Sequence, residues 1–326
     1  MKKYAMKLDG GIYRLTIPTV FPTGDTHCYL GEGDDGWVVV DVGVNVPEAK
    51  QIWENGLKEI GIGFSDISSI YLTHNHPDHG GLAGWFQQQS GANVFISADD
   101  IRALGIYNLP ENEHELMLKD KMGPHGISEE YIKTFVKDIG SIMHTYLPFP
   151  MISPLKKDHR FRLGDDIYQP AAVPGHSDGH MVFLGLNKGR LLSGDALLGD
   201  WIPQASDWPY SALDNPIGLN LEALKELAKN PLNTVLPGHG NSFTGVMERV
   251  EAVEKQHERR MSKIERTLLG KEMTLFEICS EINVGARVLQ EMRVSWADTL
   301  GYLELLCFRG RVEKRIGGLI NFSIKE

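Results

Sequence analysis

The sequence predicts a mixed α/β protein: a strand-rich scaffold, a helical insertion within it, and a small helix–helix–hairpin module at the end. Three observations carry that class. Short β-rich runs bounded by Gly, Pro and Asp recur from residue 12 to residue 238. Residues 98–158 break that rhythm with helical spacing. Beyond residue 270 the chain turns to two helices followed by two strands.

The opening strands are IYRLTIP (12–18), HCYLGEG (27–33) and GWVVVDVG (36–43). EAKQIWENGLKEIG (48–61) has apolar residues at helical spacing and a Gly stop. ISSIYLT (67–73) reads as a strand, GLAGWFQQQSG (81–91) as a helix and NVFIS (93–97) as a strand. In the insertion, ELMLKDKMG and SEEYIKTFVKDIGSIMHTYL read as helices with GPHG between them. Strands return at IYQPAAVP (167–174), HMVFLGLN (180–187), GRLLSG (189–194) and NTVLPG (233–238); the helix NLEALKELAKN (220–230) separates the last two. A long charged helix covers about 245–269. TLFEICSEIN (274–283) and VSWADTLGYLELLCFRG (294–310) are helices, and RVEKRIGGLINFSIK (311–325) is two strands around Gly317-Gly318. That order is the order of a winged-helix module. The expected division is 1–255 for the main domain, with 98–158 as a helical lid, and 256–326 for a linker helix and a winged-helix-like domain.

Net charge is −10 over 326 residues. Lys255 to Glu326 holds 13 Lys+Arg against 10 Asp+Glu, so the acid lies in the main body. An acidic body repels polyanions. The three cysteines, Cys28, Cys279 and Cys307, form no CxxC pair and no disulfide framework, which suits a reducing compartment. The start lacks the apolar core of a signal peptide, and no stretch approaches the roughly 20 apolar residues of a spanning helix. A soluble, cytoplasmic protein without a membrane partner is expected.

The chemistry is concentrated in YLTHNHPDHGG (71–81). Imidazole and carboxylate are the usual ligands of Zn²⁺ and similar ions. In an extended segment alternate residues point the same way, so His74 and His76 can share one metal. Asp78 and His79, re-aimed by the turn at Pro77, suit a second. An isolated loop histidine is more often a hydrogen-bonded group than a ligand. Here, however, PGHSDGH supplies His176, LLSGDALLGD supplies Asp195 and LPGHG supplies His239. Each follows a β-like run and sits in a Gly-flanked turn. Five histidines and two aspartates at strand ends fit one catalytic edge of a sheet.

HNHPDH, PGH, SGDAL and PGHG, in that order over about residues 8–255, resemble the metallo-β-lactamase superfamily, in its HxHxDH branch of hydroxyacylglutathione hydrolases and ribonucleases. The resemblance implies a four-layer αββα sandwich with two metals at one edge. His74, His76 and His176 would hold the first metal, Asp78, His79 and His239 the second, and Asp195 would bridge them. Asp41 in VVVDVG and His180 in GHSDGH would support the ligands by hydrogen bonds. Family branches with a redox di-iron site typically carry Glu or Asp where His76 stands. The β-lactamases proper typically carry Cys where Asp195 stands. Two close cations lower the pKa of a shared water, giving a hydroxide that attacks a carbonyl or phosphoryl centre, with Asp78 placed to orient it or take a proton. Zinc is the first choice of metal, manganese or iron the alternatives.

The substrate is expected at the insertion, which carries Tyr107, Met117, Met122, His125, His144, Tyr146, Phe149 and Met151, with Trp201, Trp208 and Tyr210 after the bridging aspartate. Long segments beside a site often act as lids, although methionines and aromatics also serve simply to pack one. His125, Phe149 and Trp201 are the named candidates for substrate contact. A small ester, thioester or lactone with an apolar part is the first expectation. A zinc-dependent ribonuclease or other nucleic-acid phosphodiesterase is the alternative, because Arg309, Arg311, Lys314 and Arg315 surround the wing. The apolar insertion and the terminal module also suit a homodimer.

Overall fold

Alternation of side chains along the strands builds the scaffold. The computed structural model describes residues 3–325 apart from 20, 22, 23, 144, 145, 207, 209 and 283–288. The first sheet has the order β1 (Ala5–Lys7), β2 (Ile12–Ile17), β3 (Thr26–Glu32), β4 (Trp37–Val40), β5 (Ile67–Tyr71), β6 (Asn93–Ile96) and β7 (Ile152–Pro154). It is antiparallel from β1 to β4 and parallel from β4 to β7. The second comprises β8 (Phe161–Leu163), β9 (Asp166–Ala172), β10 (Met181–Gly185), β11 (Arg190–Gly194) and β12 (Thr234–Pro237), in sequence order across the sheet. Only its β11–β12 pair is parallel.

Successive strand residues point to opposite faces. Val38 and Val40 of β4 and Met181 and Phe183 of β10 therefore meet in the core between the sheets, while Val39 and Val182 belong to the outer core. Across the inner core the Tyr71 ring stacks on Phe161, centroids 3.9 Å apart. Helices cover the outer faces, giving the four-layer α/β sandwich expected. α1 (Pro47–Ile60) buries Trp53, whose indole N–H finds the Val42 carbonyl at 2.8 Å. It stops at Gly61, whose φ of 91° only glycine adopts freely. The one-turn α2 (Pro77–Gly80) and α3 (Ala83–Ser90) follow β5. α7 (Pro216–Leu227), capped by Asn215 accepting from Gly218 N, shares the outer core with Leu191 and Val235.

The insertion holds α4 (Ala98–Tyr107), α5 (Glu111–Met122) and α6 (Glu129–Met143). The sequence reading names the last two and passes over α4, whose signal is a cap: Ser97 Oγ accepts from Asp100 N at 3.1 Å. It also passes over β7, which closes the insertion by adding a strand to the sheet edge, where Pro154 is tolerated.

α8 (Val246–Leu268) buries Val246, Val250, Val253, His257, Met261, Ile264 and Leu268, a stripe at helical spacing. It runs unbroken through the expected 255/256 division. Then come β13 (Met273–Thr274), α9 (Leu275–Ile282), α10 (Leu289–Phe308), β14 (Val312–Ile316) and β15 (Ile320–Ile324), with the sheet order β13-β15-β14. This module packs on the insertion: Trp296 meets Tyr131 and Phe135 at 5.4 and 5.2 Å. No helix among the described residues is long and apolar enough to cross a membrane.

Candidate metal centre

Every expected metal ligand stands at or just beyond the carboxyl end of a strand. His74, His76, Asp78 and His79 follow β5, His176 follows β9, Asp195 follows β11 and His239 follows β12. The structure brings all seven together as buried or nearly buried side chains. Three groups have ligand atoms within 4.8 Å of one another: His74, His76 and His176; His74, His79 and Asp195; and Asp78, His79 and His239. Asp195 reaches both sides of the cluster, with carboxylate oxygens 3.3 Å from His79 Nε2, 3.3 Å from His239 Nε2 and 3.5 Å from His176 Nε2. Gly238 lies so close beneath it that a Cβ there would meet Asp195 Oδ1 at 2.5 Å.

The protonation states match a cation site. Burial, reinforced by neighbouring imidazoles, holds His74 well below the usual histidine range and takes His76 down to about 3. His176 is also lowered, by burial first. These rings keep free lone pairs. Burial opposes a proton on His79 and His239 too, but Asp195 and its fellow carboxylates outweigh it, raising His79 well above its usual range and His239 to about 10. Those two imidazoles in turn hold the Asp195 carboxyl well below its usual range, against the burial that would raise it. His176 Nε2 and Asp195 Oδ1 are buried without a hydrogen-bond partner, and His79 Nε2 faces His239 Nε2 at 3.4 Å. A divalent cation held there would replace the trapped protons and give the orphaned atoms a partner. Five imidazoles and two carboxylates in this arrangement fit two such cations.

Outer hydrogen bonds choose which nitrogen each ring presents. Asp41, the one non-glycine with positive φ among the described residues (58°), accepts from Thr73 N at 2.8 Å, Thr73 Oγ1 at 2.8 Å and His79 Nδ1 at 2.9 Å. With its proton on Asp41, Thr73 Oγ1 accepts from His74 Nδ1 at 3.0 Å. His176 Nδ1 donates to the Gln204 carbonyl at 2.7 Å and His239 Nδ1 to the Asp25 carbonyl at 2.9 Å. All four rings therefore turn Nε2 inward. His180 accepts from Asp195 N at 3.1 Å and stacks on His74 at 4.7 Å. Thr73, Gln204 and Asp25 escape the sequence reading. Only Thr73 had a signal, its place directly before the first ligand. Asn tolerates the left-handed backbone of residue 41, so Asp41→Asn isolates the lost charge. It is expected to weaken metal binding by about 10- to 100-fold in a competition titration.

The substrate candidates separate. Trp201, 38% exposed, lies beside His239 with ring centroids 6.5 Å apart. Phe149 is half-buried and parallel to Tyr146 at 5.9 Å; Tyr146 donates to the carbonyl of Asn75, between His74 and His76. His125 is not brought to the cluster. The 123–125 turn faces the C-terminal hairpin, so its ring lies buried and parallel to Phe322 at 5.9 Å. It borders a cavity of about 530 Å³ with Lys121, Ser211, Glu304 and Lys314, which no expected metal ligand lines. Tyr107, His114 and Tyr210 pack on one another. Met151 is 83% exposed, and His144 lies outside the described residues.

A model of the metallo-beta-lactamase superfamily matches residues 22–239. A Bacillus subtilis (strain 168) protein described as the probable metallo-hydrolase YqjP is 26% identical over 309 residues, 90% of this chain and 92% of that one. The atrochrysone carboxyl ACP thioesterase of Emericella nidulans is 22% identical over 244 residues, 74% of this chain and 60% of that one. Among solved structures, a metallo-beta-lactamase family protein from Thermus thermophilus aligns with a TM-score of 0.82 at 28% identity, covering 97% of this chain and 99% of that one. The matched span runs through every strand end from Asp41 to His239, and the chain belongs to the metallo-beta-lactamase superfamily as one of its metallo-hydrolases.

Proposed function

We propose that this hydrolase acts on a small ester, thioester or lactone with an apolar part, using two divalent cations, zinc first, held by His74, His76, His176, Asp78, His79, His239 and Asp195. One observation carries the reading: seven donors, six of them buried and His76 partly so, converge with orphaned atoms, beside Trp201 and near Tyr146 and Phe149. The thioesterase among the relatives supports a carbonyl substrate. The HxHxDH ligand pattern supports the hydroxyacylglutathione-hydrolase-like branch.

Bound there, the cations supply Lewis acidity and bring the pKa of water towards neutrality. Asp78 does the proton work. Burial pushes its carboxyl up, but His79 and then His239 outweigh that and keep it ionised, ready to orient a water or accept its proton. Asp41 and Thr73 keep the His79 and His74 rings from turning. Trp201 and Phe149 take up the apolar part and exclude bulk water.

We assign residues 1–255 to the catalytic domain and 256–326 to a linker helix and winged-helix-like module. The nuclease alternative loses support there, because the wing's cations are neutralised within the chain. Arg309 meets Glu258 at 3.0 Å, Arg311 holds Glu265 through two bonds, Lys314 meets Glu304 at 2.6 Å and Arg315 meets Glu272 at 2.9 Å.

Exhaustive chelation is expected to abolish turnover of acyl thioesters or lactones, and Zn²⁺ or Mn²⁺ to restore it. Full turnover by protein verified as metal-free ends the metal reading. Faster cleavage of phosphodiesters or RNA than of any thioester, ester or lactone ends the carbonyl reading.

A further inference from the structure

We infer that α10 of the C-terminal module is part of the support of His176, acting through Gln204. This rests on the reading of His176 as a metal ligand. The bond from His176 Nδ1 to the Gln204 carbonyl leaves Nε2 free to face Asp195. That carbonyl therefore decides whether the ring presents a lone pair or a proton to the cluster.

Residue 204 lies in the stretch between β11 and α7, in a part with neither helix nor strand, so no ladder of backbone bonds fixes its carbonyl. The side chain of the same residue does. Gln204 Nε2 donates to the Val294 carbonyl on α10 at 3.1 Å. One residue thus faces the ligand with its main chain and the module with its amide. The stretch is also laced to the turn that carries His176: Ser206 N donates to the Gly175 carbonyl at 3.1 Å, and Ser211 Oγ to Asp178 Oδ1 at 2.6 Å. α10 itself is anchored from two sides. Trp296 packs on the insertion, and Arg260 of α8 meets Asp298 at 3.2 Å. The module is accordingly a brace for the first metal group, and Gln204 is a positioning residue.

The test uses the full chain, stripped of metal and titrated with Co²⁺. Gln204→Leu keeps the backbone, shortens the side chain by one atom and loses the amide donor. It is expected to weaken one of the two cobalt equivalents by about tenfold, the lower end of the effect of losing a ligand's supporting bond, and to shift the visible d–d bands. Tyr302→Phe, which cuts the bonds from α10 to His257 and Arg260 of α8, controls for general loosening and should leave both cobalt affinities alone. Unchanged titration and spectrum in Gln204→Leu overturns the inference, as does an equal change in Tyr302→Phe. His176→Ala must itself lose one equivalent. If it binds two normally, the ligand reading fails, and the inference falls with it.

Discussion

Replacing Asp195 by alanine is expected to remove tight binding of both cations and to lower hydrolysis by more than about 100-fold, beyond what losing a ligand's hydrogen-bond partner costs. It is the carboxylate that meets His79, His239 and His176 together. Its two oxygens approach His79, His239 and His176, so its removal leaves both proposed metal groups short of an anion. Asp195→Asn keeps the shape and one carbonyl oxygen but loses the charge, and should fall between alanine and the native protein. Metal content after dialysis against a weak chelator is the direct measurement. Two equivalents retained at native affinity in Asp195→Ala would remove the bridging role.

The metal-free protein should be most stable near pH 6.5 to 7 and lose stability on both sides, as seen in melting temperatures from about pH 5 to 10. On the alkaline side the relevant group is His239, raised to about 10 by Asp195 and Asp78 against the opposing effect of burial. It binds its proton more tightly folded than unfolded. Its contribution is complete below about pH 6.5, the unfolded value, and disappears as pH climbs through about 10. On the acid side the relevant group is His76, lowered to about 3 by burial and by His176. The unfolded chain takes up this proton below about pH 6.5 while the folded chain refuses it, so stability falls with pH. Each slope is of order 1 kcal/mol per pH unit. Saturating zinc should flatten the alkaline limb, because the cation takes the place of the His239 proton. A metal-free alkaline limb that is already flat would contradict this account of the cluster.

The scaffold is legible in the sequence because short apolar runs such as WVVV and RLLSG lead into glycine-containing turns, and a two-sided core leaves them little choice of partner. The gathering of the seven donors is legible for the same reason: each sits in such a turn. What supports them is not. A backbone carbonyl at Gln204 or Asp25 has no residue-type signature, and only packing decides that it meets an imidazole. His125 shows the opposite failure. Its Gly-Pro-His-Gly setting looks like an exposed loop, but periodicity in one segment says nothing of the distant C-terminal hairpin that covers it. α4 is missed because ADDIRALGIY is short and weakly periodic; its start is marked by the Ser97 cap.

The donors are spread over strand ends on two sheets, and this bears on biosynthesis. A growing chain that has just left the ribosome with α2 complete carries His74, His76, Asp78 and His79 but neither Asp195 nor His239. It can offer a passing ion only a loose, partial grip. Secure metal capture must wait until translation has passed β12, and until α10 emerges if the brace at Gln204 is needed. Loading of the site is thereby tied to near-completion of the polypeptide.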